Sequence, residues 1–436
     1  MSTVTYKRSL PIRHETDVLV AGGGPAGCAA AWAAARQGAR VFLAEGHSCL
    51  GGMGTAAMVP LFLGLTDGEH FLTGEFGKTL LSHLYRIGEA VYRGQEANTI
   101  HFESLKRAYE VMLREAGVTF TFHTQLIDVD ARDGQVNGCI FAAKSGVFAV
   151  RAQVYIDCTG DGDLAAWAGN PFIKGDAKGQ MIGGTLCGVW TGIDWARRFG
   201  NDNRAIQQAY DDGVLDVPDL HLPGMFRLDD VQGLGNIGHT FNLDGTDERS
   251  LTKALVRGRY HNVQYERYYK KYLSGFEGME LVSSGSLLGV RESRIIEGDY
   301  RLVLDDFLNR AIFEDEIGRF SYQVDIHSGD DSDEGYQFYY DTYNRYRYKD
   351  GESYGIPFRI LLPSALSNVL VAGRCASTDR YMQSSIRVMP GCMLMGQAAG
   401  IAAAQCAAYH CVPREVSVRK IQQVLKDWDV YLPNFE

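Results

Sequence analysis

The stretch "DVLVAGGGPAG", Asp17 to Gly27, decides the fold of this 436-residue chain. Its apolar half is typical of a central parallel strand, and it leads directly into Gly22, Gly24 and Gly27 and the Ala-rich run "AGCAAAWAAARQG". The first glycine permits a tight turn, the second lets backbone approach a pyrophosphate, and the third lets helix and strand pack closely. The pattern predicts a strand, a glycine turn and a helix whose N-terminus faces a phosphate.

The next apolar run, "ARVFLAE", supports a dinucleotide-binding fold. It ends at Glu45, about twenty residues beyond the glycines, where an acid can hydrogen-bond a ribose hydroxyl. A second match to the glycine spacing, "GLGNIG" at Gly233 to Gly238, follows the polar "RLDDVQ" and precedes turn residues instead of a helix. We therefore reject it as a second dinucleotide site, and we predict no separate NAD(P) domain.

The late stretch "NVLVAGRCAS", Asn368 to Ser377, resembles the start of the chain. It predicts a strand that returns to the first sheet and lays its turn, Gly373 to Cys375, beside the first glycine turn. The helix that begins at "PGCM", Pro390 to Met393, would point a second helix N-terminus at the ligand. A ligand held from both ends of the chain suits FAD better than the smaller NAD.

Between these ends, the sequence predicts several further elements. "FESLKRAYEVMLREAG" has helical spacing, and three alternating runs broken at "RDG" and "KSG" predict an antiparallel β-meander. An apolar strand then ends at Asp157 before a turn and a small-residue helix. The loop "GHSCLGGMGT" has Gly51, Gly52 and Gly54, which allow backbone to lie against a planar ring or phosphate; a flexible surface loop is the alternative.

The character of the chain changes from about Leu186 to Tyr354, where small residues become fewer and Tyr and charged residues increase. A long helix is predicted there, from about Glu248 to Tyr272. We predict an α/β protein in which an α+β substrate domain, 186–354, is inserted into a dinucleotide-binding domain made of 15–185 and 355–436.

Composition limits the function. The net charge of −10, without clusters of Lys and Arg, argues against a nucleic-acid surface. Nine scattered cysteines without a Cys-x-x-Cys pair predict neither a disulfide framework nor a metal site, and they favour the cytoplasm. No signal-peptide run or membrane span is predicted. The expected partners are a small-molecule substrate and an unidentified electron donor or acceptor, and the oligomeric state stays open.

These motifs resemble the FAD-dependent oxidoreductases of the glutathione-reductase-like superfamily, specifically the bacterial group often labelled FAD-dependent oxidoreductase. The resemblance covers nearly the whole chain and includes "LLGVRESRIIEGDY", "YGIPFRILLP" and "SIRVMPGCMLMGQAAG". It implies a Rossmann-type FAD-binding domain of the glutathione-reductase-like kind. The cofactor-binding residues that it implies are Gly22, Gly24, Pro25, Ala26, Gly27, Glu45, Gly46, Gly51, Gly52, Met53, Gly54, Thr55, Ile127, Thr159, Gly160, Asp161, Gly373, Arg374, Gly391, Cys392 and Met393.

Two details qualify the resemblance. Relatives tend to have a His shortly after the "GRC" turn, whereas this chain has Arg380, which cannot act as a base at neutral pH and can instead select an anion. No motif forces a covalent flavin link, although Cys49 and Cys392 fall near the cofactor by analogy. We expect noncovalent FAD.

Candidate catalytic residues come from the proposed substrate domain and its junctions. His327 in "VDIHS" and His239 in "GNIGHTF" are possible proton carriers. Arg291, Arg359 and Arg387 have apolar neighbours, so each should meet either an internal acid or an oxygen-rich substrate. The Tyr-rich run "YQFYYDTYNRYRYKDGESYG" can line a sugar or aromatic site or form an exposed hairpin.

The sequence therefore predicts an enzyme that transfers a hydride between FAD and a polar, oxygen-rich small molecule. The reaction would oxidise a secondary alcohol or sugar, or reduce an activated double bond. His327 is the predicted proton-transfer residue, with Arg387 and Arg359 holding the substrate and His239 as the second choice. The alternative is a non-catalytic binding protein that FAD stabilises.

A test with nicotinamide follows from the rejection of "GLGNIG". Without an NAD(P) domain, NADH and NADPH should reduce the flavin slowly or not at all, because nothing holds the nicotinamide against the flavin. Stopped-flow absorbance measures the rate. Rapid, saturable reduction by NADPH would show that a nicotinamide site exists.

Overall fold

The computed structural model describes residues 3–435 except 6, 87–89, 94–96, 200–201 and 220–223. The strands are β1 (Ile12–Ala21), β2 (Val41–Ala44), β3 (Leu61–Phe62), β4 (Ala90–Arg93), β5 (Ala97–Ile100), β6 (Thr119–Thr121), β7 (Thr124–Arg132), β8 (Gln135–Ala143), β9 (Gly146–Asp157), β10 (Phe172–Lys174), β11 (Gly188–Thr191), β12 (Met225–Arg227), β13 (Gly233–Gly235), β14 (Glu280–Ser284), β15 (Arg294–Ile296), β16 (Glu316–Phe320), β17 (Tyr354–Pro357) and β18 (Val369–Val371). The helices are α1 (Pro25–Arg36), α2 (Gly74–Arg86), α3 (Phe102–Glu115), α4 (Asp163–Trp167), α5 (Ile206–Asp211), α6 (Glu248–Tyr272), α7 (Leu304–Leu308), α8 (Asp333–Arg345), α9 (Arg380–Ile386), α10 (Met389–Tyr409) and α11 (Val418–Asp427).

The central sheet confirms the predicted mixed α/β fold. Its strands run in the order β6, β2, β1, β9, β8, β7, and β18 pairs with the second half of β9. The pairs among β6, β2, β1, β9 and β18 are parallel, whereas β7, β8 and the start of β9 form the predicted antiparallel meander. Ala21 and Val371 both lie opposite Asp157, so the carboxyl ends of three strands meet at one edge. The late strand thus returns to the first sheet, as predicted.

Helices α1 and α10 pack with their backbones in direct contact. A Cβ on Gly396 would lie 2.2 Å from the carbonyl oxygen of Ala26, and one on Gly400 would lie 2.2 Å from that of Ala30. Glycine is therefore needed at both positions, and α10 is buried along most of its length. Among the residues described, no single helix is long and apolar enough to span a membrane, although α9 and α10, bent by 92°, pass that test as a pair.

A separate four-stranded sheet, in the order β12, β13, β11, β14, forms with α6 the centre of the proposed substrate domain. The predicted helix Glu248–Tyr272 is confirmed as α6. The first three residues of the "GLGNIG" stretch form strand β13, where a Cβ on Gly235 would lie 2.6 Å from the ring of Trp190. The described residues 236–246 after it form no helix, which confirms that this stretch is not a phosphate-binding turn.

Of the two alternatives for the Tyr-rich run, the exposed hairpin was wrong, because residues 333–345 form α8. Ser332 caps this helix by accepting a hydrogen bond from the Gly335 N–H at 3.1 Å, and Tyr336 and Tyr339 lie on its buried face. The domain boundaries at 186 and 354 stay a prediction. Residues 302–326 supply several side chains to the same core as α1 and α10.

The α1 and α10 contact can be tested with two matched substitutions. Gly400→Ala should lower the free energy of unfolding by about 1–3 kcal/mol, because its methyl group would overlap a backbone oxygen that cannot move independently. Gly138→Ala is the control, since its Cβ would meet Val150 O at an ordinary 3.4 Å. Chemical denaturation measures both, and equal stabilities would contradict the direct helix contact.

Candidate active site

The first glycine turn has the geometry that a pyrophosphate requires. Gly22 has φ +94°, and a Cβ there would lie 2.5 Å from Cys158 O, while a Cβ on Gly27 would lie 1.9 Å from Gly22 O. These two glycines hold the turn, β9 and α1 together. A Cβ on Gly24 would meet no described atom within 4 Å, so Gly24 faces open space at the start of α1. Pro25 and Ala26 form the first turn of that helix.

Glu45 is buried beside the same turn. Its Oε2 accepts a hydrogen bond from Gly23 N at 2.6 Å, and its Oε1 accepts one from His47 N at 2.8 Å. A Cβ on Gly23 would lie 3.0 Å from Glu45 Oε2 and 2.6 Å from Leu50 Cδ2, so a side chain here would displace Leu50 or Glu45. The sequence analysis missed this role of Gly23.

Two of the implied cofactor-binding residues lie at β7, Gly46 packed against its start and Ile127 within it. A Cβ on Gly46 would lie 2.2 Å from Gln125 Oε1, so the backbone of Gly46 packs directly on the first residues of this strand. Ile127 falls at an irregularity in the pairing of β7 with β8, and 44% of its surface is exposed.

The loop 51–55 joins the turn to the start of α10. Gly51 has φ +96°, a Cβ on Gly52 would lie 3.2 Å from Gly24 Cα, and one on Gly54 would lie 2.7 Å from Met389 Sδ. Thr55 is buried and donates a hydrogen bond to Leu50 O at 2.6 Å, while Met53 is half-buried. The alternative of a flexible surface loop is therefore wrong.

The turn after β9 is built on a buried aspartate that the sequence analysis noted only as a strand end. Asp157 accepts hydrogen bonds from Thr159 N at 3.0 Å, Thr159 Oγ1 at 2.7 Å and Ala165 N at 2.8 Å. Burial raises the pKa of Asp157. Asp161, two residues after Thr159, forms an ion pair of 2.5 Å with Arg374.

Arg374 and the start of α10 leave donors available at this edge. Arg374 Nε is buried and has no hydrogen-bond partner among the described residues. A Cβ added to Gly160 would lie 3.2 Å from Arg374 Nη2, so the guanidinium packs closely on this glycine. The first N–H groups of α10, including that of Gly391, precede the intrahelical hydrogen bonds. With Gly24 facing open space, these donors fit an extended anionic dinucleotide such as FAD.

The two suspect cysteines are buried thiols. Burial raises the pKa of Cys392 to about 12 and also raises the pKa of Cys49. A thiol that stays protonated at neutral pH is a poor nucleophile. Cys392 Sγ donates to Arg387 O at 3.1 Å, and neighbouring Met393 is fully buried. This agrees with noncovalent FAD.

A buried chain of two histidines and two aspartates lies beyond the start of α10. We call Asp219, His239, His327 and Asp325 the proton chain. His239 Nδ1 lies 2.8 Å from Asp219 Oδ2, His239 Nε2 lies 2.8 Å from His327 Nδ1, and His327 Nε2 lies 3.2 Å from Asp325 Oδ2. Tyr336 donates to Asp219 Oδ1 at 3.0 Å. The four side chains are at most 12% exposed.

Proton counting constrains this chain. Three hydrogen bonds need three protons, but two neutral imidazoles carry only two. One further proton is therefore held, either on an imidazole or on a carboxyl group, and the four groups together carry one negative charge. Burial, followed by the charges of Arg291, His239 and Arg387, lowers the pKa of His327 well below its ordinary value. This direction disfavours the protonated form of His327.

Backbone segments from distant parts of the chain bring the histidines together with Arg291. Gly183 N donates to Ser328 O at 3.0 Å, and Thr185 Oγ1 donates to Gly238 O at 2.8 Å. Arg291 Nη1 in turn donates to Gly183 O and to Thr185 Oγ1, both at 2.9 Å. Both of these partners are neutral, so the hydrogen bonds of Arg291 do not go to the internal acid that was one of its two expected partners.

Arg387 joins the proton chain at its other end. Its Nη2 donates to Asp325 O at 2.8 Å and lies 3.4 Å from Asp325 Oδ2. Arg387 is the residue between α9 and α10, immediately before the N-cap Val388. The structure thus brings together four of the five predicted catalytic residues, His327, His239, Arg291 and Arg387. It adds Asp219 and Asp325, which no sequence signal beyond their polarity singled out.

Two predicted arginine roles were wrong. Arg359 has a side chain 46% exposed, pairs with Asp315 at 2.9 Å and lies over the ring of Tyr300. Its apolar sequence neighbours are buried, but its own side chain points to the surface. Arg380 is held by Glu292 at 3.0 Å and lies 3.8 Å from Asp176, so acids of the protein already balance its charge. Among the described residues, no group of three or more His, Cys, Asp or Glu is placed to hold a metal ion.

Comparisons with known proteins identify a family. A family model described as FAD dependent oxidoreductase matches residues 17–425. Similar solved structures include a geranylgeranyl bacteriochlorophyll reductase-like protein from Thermoplasma acidophilum, at 14% identity and a TM-score of 0.49 over 95% of this chain and 84% of that one. A p-nitrophenol 4-monooxygenase from Pseudomonas putida DLL-E4 has 13% identity and a TM-score of 0.44 over 95% and 81%. At these values the structures carry no argument about reaction or substrate.

Because a Cβ on Gly24 would meet open space, a substitution there can test cofactor binding separately from folding. Gly24 has φ −69° and ψ −175°, which any residue can adopt, so Gly24→Ala should leave the apoprotein folded. Its methyl group would occupy space that the pyrophosphate needs, so bound FAD should fall sharply. The flavin-to-protein absorbance ratio and circular dichroism measure the two effects, with Gly138→Ala as control. Full flavin content in Gly24→Ala would contradict the assignment.

Proposed function

The chain belongs to the FAD dependent oxidoreductase family, and from that premise we propose that it transfers a hydride between noncovalently bound FAD and a polar, oxygen-rich small molecule. The reaction oxidises a secondary alcohol or sugar, or reduces an activated double bond. The observation that carries the proposal is the proton chain. Hydride transfer to or from such a substrate leaves one proton to be moved, and a buried chain with one shared proton beside the start of α10 can move it.

FAD, when bound, supplies the acceptor or donor of the hydride. In the proposal, Gly22 to Gly27 and Glu45 hold its adenosine and pyrophosphate half. The loop 51–55, Arg374 and the start of α10 hold the flavin half, where a helix N-terminus favours negative charge. This arrangement supports a binding domain of the glutathione-reductase-like kind.

Asp325 is the member of the proton chain nearest to the start of α10, through its contact with Arg387. Both ring nitrogens of His327 are engaged inside the chain, so His327 passes a proton along and Asp325 exchanges it with the substrate. In the oxidative direction, the substrate C–H bond breaks as a hydride leaves, and the hydroxyl proton goes to Asp325. The proton chain returns to its starting charge when it releases one proton to solvent.

The Asp219 end supports exchange with solvent. A small cavity there is lined by Asp216, Asp219, His239 and His261, among others. Asp216 is 39% exposed and pairs with Arg257 at the surface. Burial lowers the pKa of His261 to about 4, so its imidazole is neutral at pH 7 and can both donate and accept.

A metabolite screen distinguishes this function from that of a flavin-stabilised binding protein. Pooled alcohols, sugars and unsaturated acids are mixed anaerobically with oxidised or reduced protein, and flavin absorbance is followed by stopped flow. The proposal expects at least one pool to bleach or reoxidise the flavin at a saturable rate. If no compound changes the flavin redox state, the binding protein becomes the better description.

With a substrate in hand, the histidines can be tested as one unit. His327→Ala and His239→Ala should each slow the hydride phase by about 10²–10⁴-fold, and the double variant should be no slower than the worse single one. His14→Ala, a half-buried histidine stacked on Phe42, is the control. All variants should keep FAD. Additive losses, or an unchanged rate in His327→Ala, would remove the proton chain from the mechanism.

A further inference from the structure

Arg291 is a buried guanidinium without a carboxylate partner. The residue is 8% exposed, and its hydrogen bonds go to the carbonyl of Gly183 and the hydroxyl of Thr185. None of the ion pairs in the described part of the chain includes it. Burial lowers the pKa of Arg291 to about 10, with a further contribution from Arg387, so the group is still charged at pH 7. A buried charge that lacks a counter-ion destabilises the protein unless a ligand supplies one.

Arg387 is only partly satisfied. Its side chain is 10% exposed, and its one carboxylate contact, to Asp325 Oδ2, is long at 3.4 Å. Its Nε is buried with no hydrogen-bond partner among the described residues. By contrast, the buried Arg319 donates to Glu316, Ser353 and the carbonyls of Arg310 and Ser353. Arg387 thus keeps a donor that the protein does not use.

The two arginines are attached to the same segments of the protein. Gln383 Nε2 donates a hydrogen bond to Arg291 O at 2.8 Å, and Arg387 N donates one to Gln383 O at 3.0 Å. Arg291 reaches the histidines through Gly183 and Thr185, and Arg387 reaches them through Asp325. We call Arg291 and Arg387 the arginine pair. Arg387 contacts the proton chain at Asp325, and Arg291 adjoins the segments that carry the two histidines.

Charge balance identifies the missing group. The proton chain carries one negative charge and the arginine pair carries two positive charges, so the cluster keeps one positive charge. A single carboxylate would neutralise it, whereas a phosphate dianion would reverse it and a neutral sugar would leave it unbalanced. The planar fork of a guanidinium also matches a carboxylate.

We propose that the arginine pair binds a carboxylate of the substrate, so that the substrate is a hydroxy acid or an unsaturated acid. This inference rests on the proposed hydride transfer and narrows its substrate class. The carboxylate would be held between Arg291 and Arg387, and the carbon that gives or takes the hydride would lie next to it, within reach of Asp325.

Binding of small acids to the FAD-loaded protein tests the site without any turnover. The probes are lactate and propionate, with the neutral lactamide and propionamide as matched controls. Calorimetry and flavin difference spectra should show saturable binding of the acids and much weaker binding of the amides. Arg291→Met and Arg387→Met should each weaken acid binding about tenfold or more, since each removes charge-assisted hydrogen bonds. Arg359→Met, an arginine already paired at the surface, should bind as the parent protein does.

FAD content and melting temperature show whether each variant is folded. Where a Met variant does not fold, Arg291→Lys and Arg387→Lys take its place, because lysine keeps the charge but loses the planar fork. They should bind the acids more weakly than the parent protein. Acids that do not bind up to their solubility limit, or that bind no better than amides, would overturn the carboxylate site, and so would arginine variants that bind normally.

The outcomes also separate this inference from the proposed function. If a neutral alcohol reduces the flavin and the arginine variants do not slow it, hydride transfer stands and the carboxylate site falls. If acids bind in an arginine-dependent way but no hydroxy or unsaturated acid changes the flavin redox state, the site stands and the proposed reaction falls.

Discussion

The direct backbone contact between α1 and α10 is the constraint on which the rest of the site depends. Gly396 and Gly400 let α10 approach the carbonyl oxygens of α1, as the 2.2 Å Cβ distances indicate. Helix α1 begins at the first glycine turn, and α10 begins one residue after Val388 and two after Arg387. The contact therefore sets the spacing between the phosphate end of the cofactor site and the arginine beside the proton chain.

The charged groups of the interior divide into two kinds. Arg319 with Glu316, and Arg380 with Glu292, are ion pairs completed within the protein, and they account for their own burial. The arginine pair and the proton chain form a larger cluster that holds an unused donor and an excess positive charge. A buried ion pair in which both charges are matched costs the protein little stability. A buried cluster with an unmatched charge lowers the free energy of unfolding unless a bound ligand supplies the opposite charge. That difference is the physical ground for proposing that this cluster is functional.

The position of the cluster suits hydride transfer because it lies between two sets of elements. Ala56 directly follows the loop 51–55, and its carbonyl oxygen accepts hydrogen bonds from Ser286 N and Leu287 N. These bonds attach the loop to the segment that precedes Arg291. Asp325 N donates to Ser384 Oγ in α9 at 3.0 Å. The groups that would hold the substrate are thus attached to the elements that hold the cofactor. Little rearrangement is then needed to keep the reacting atoms in line.

Short-range patterns in the amino-acid sequence determined many of the helices and strands of this protein. Glycine spacing, apolar periodicity and turn residues predicted β1, α1, the meander and α6, because each depends on neighbours a few residues away. The return of β18 to the first sheet followed instead from the likeness of its sequence to that of β1. The same reading singled out His327, His239, Arg291 and Arg387 by residue type. It assigned Arg359 wrongly, since apolar neighbours do not tell which way a side chain points, and it missed α8 because a Ser cap and a Tyr-rich face also fit a hairpin. Only the tertiary structure decided that His239 and His327, 88 residues apart, share a proton, and that Asp219 and Asp325 complete the chain. Hydrogen bonds between distant loops leave no periodic trace in a sequence, because they depend on the three-dimensional meeting of segments and not on local order.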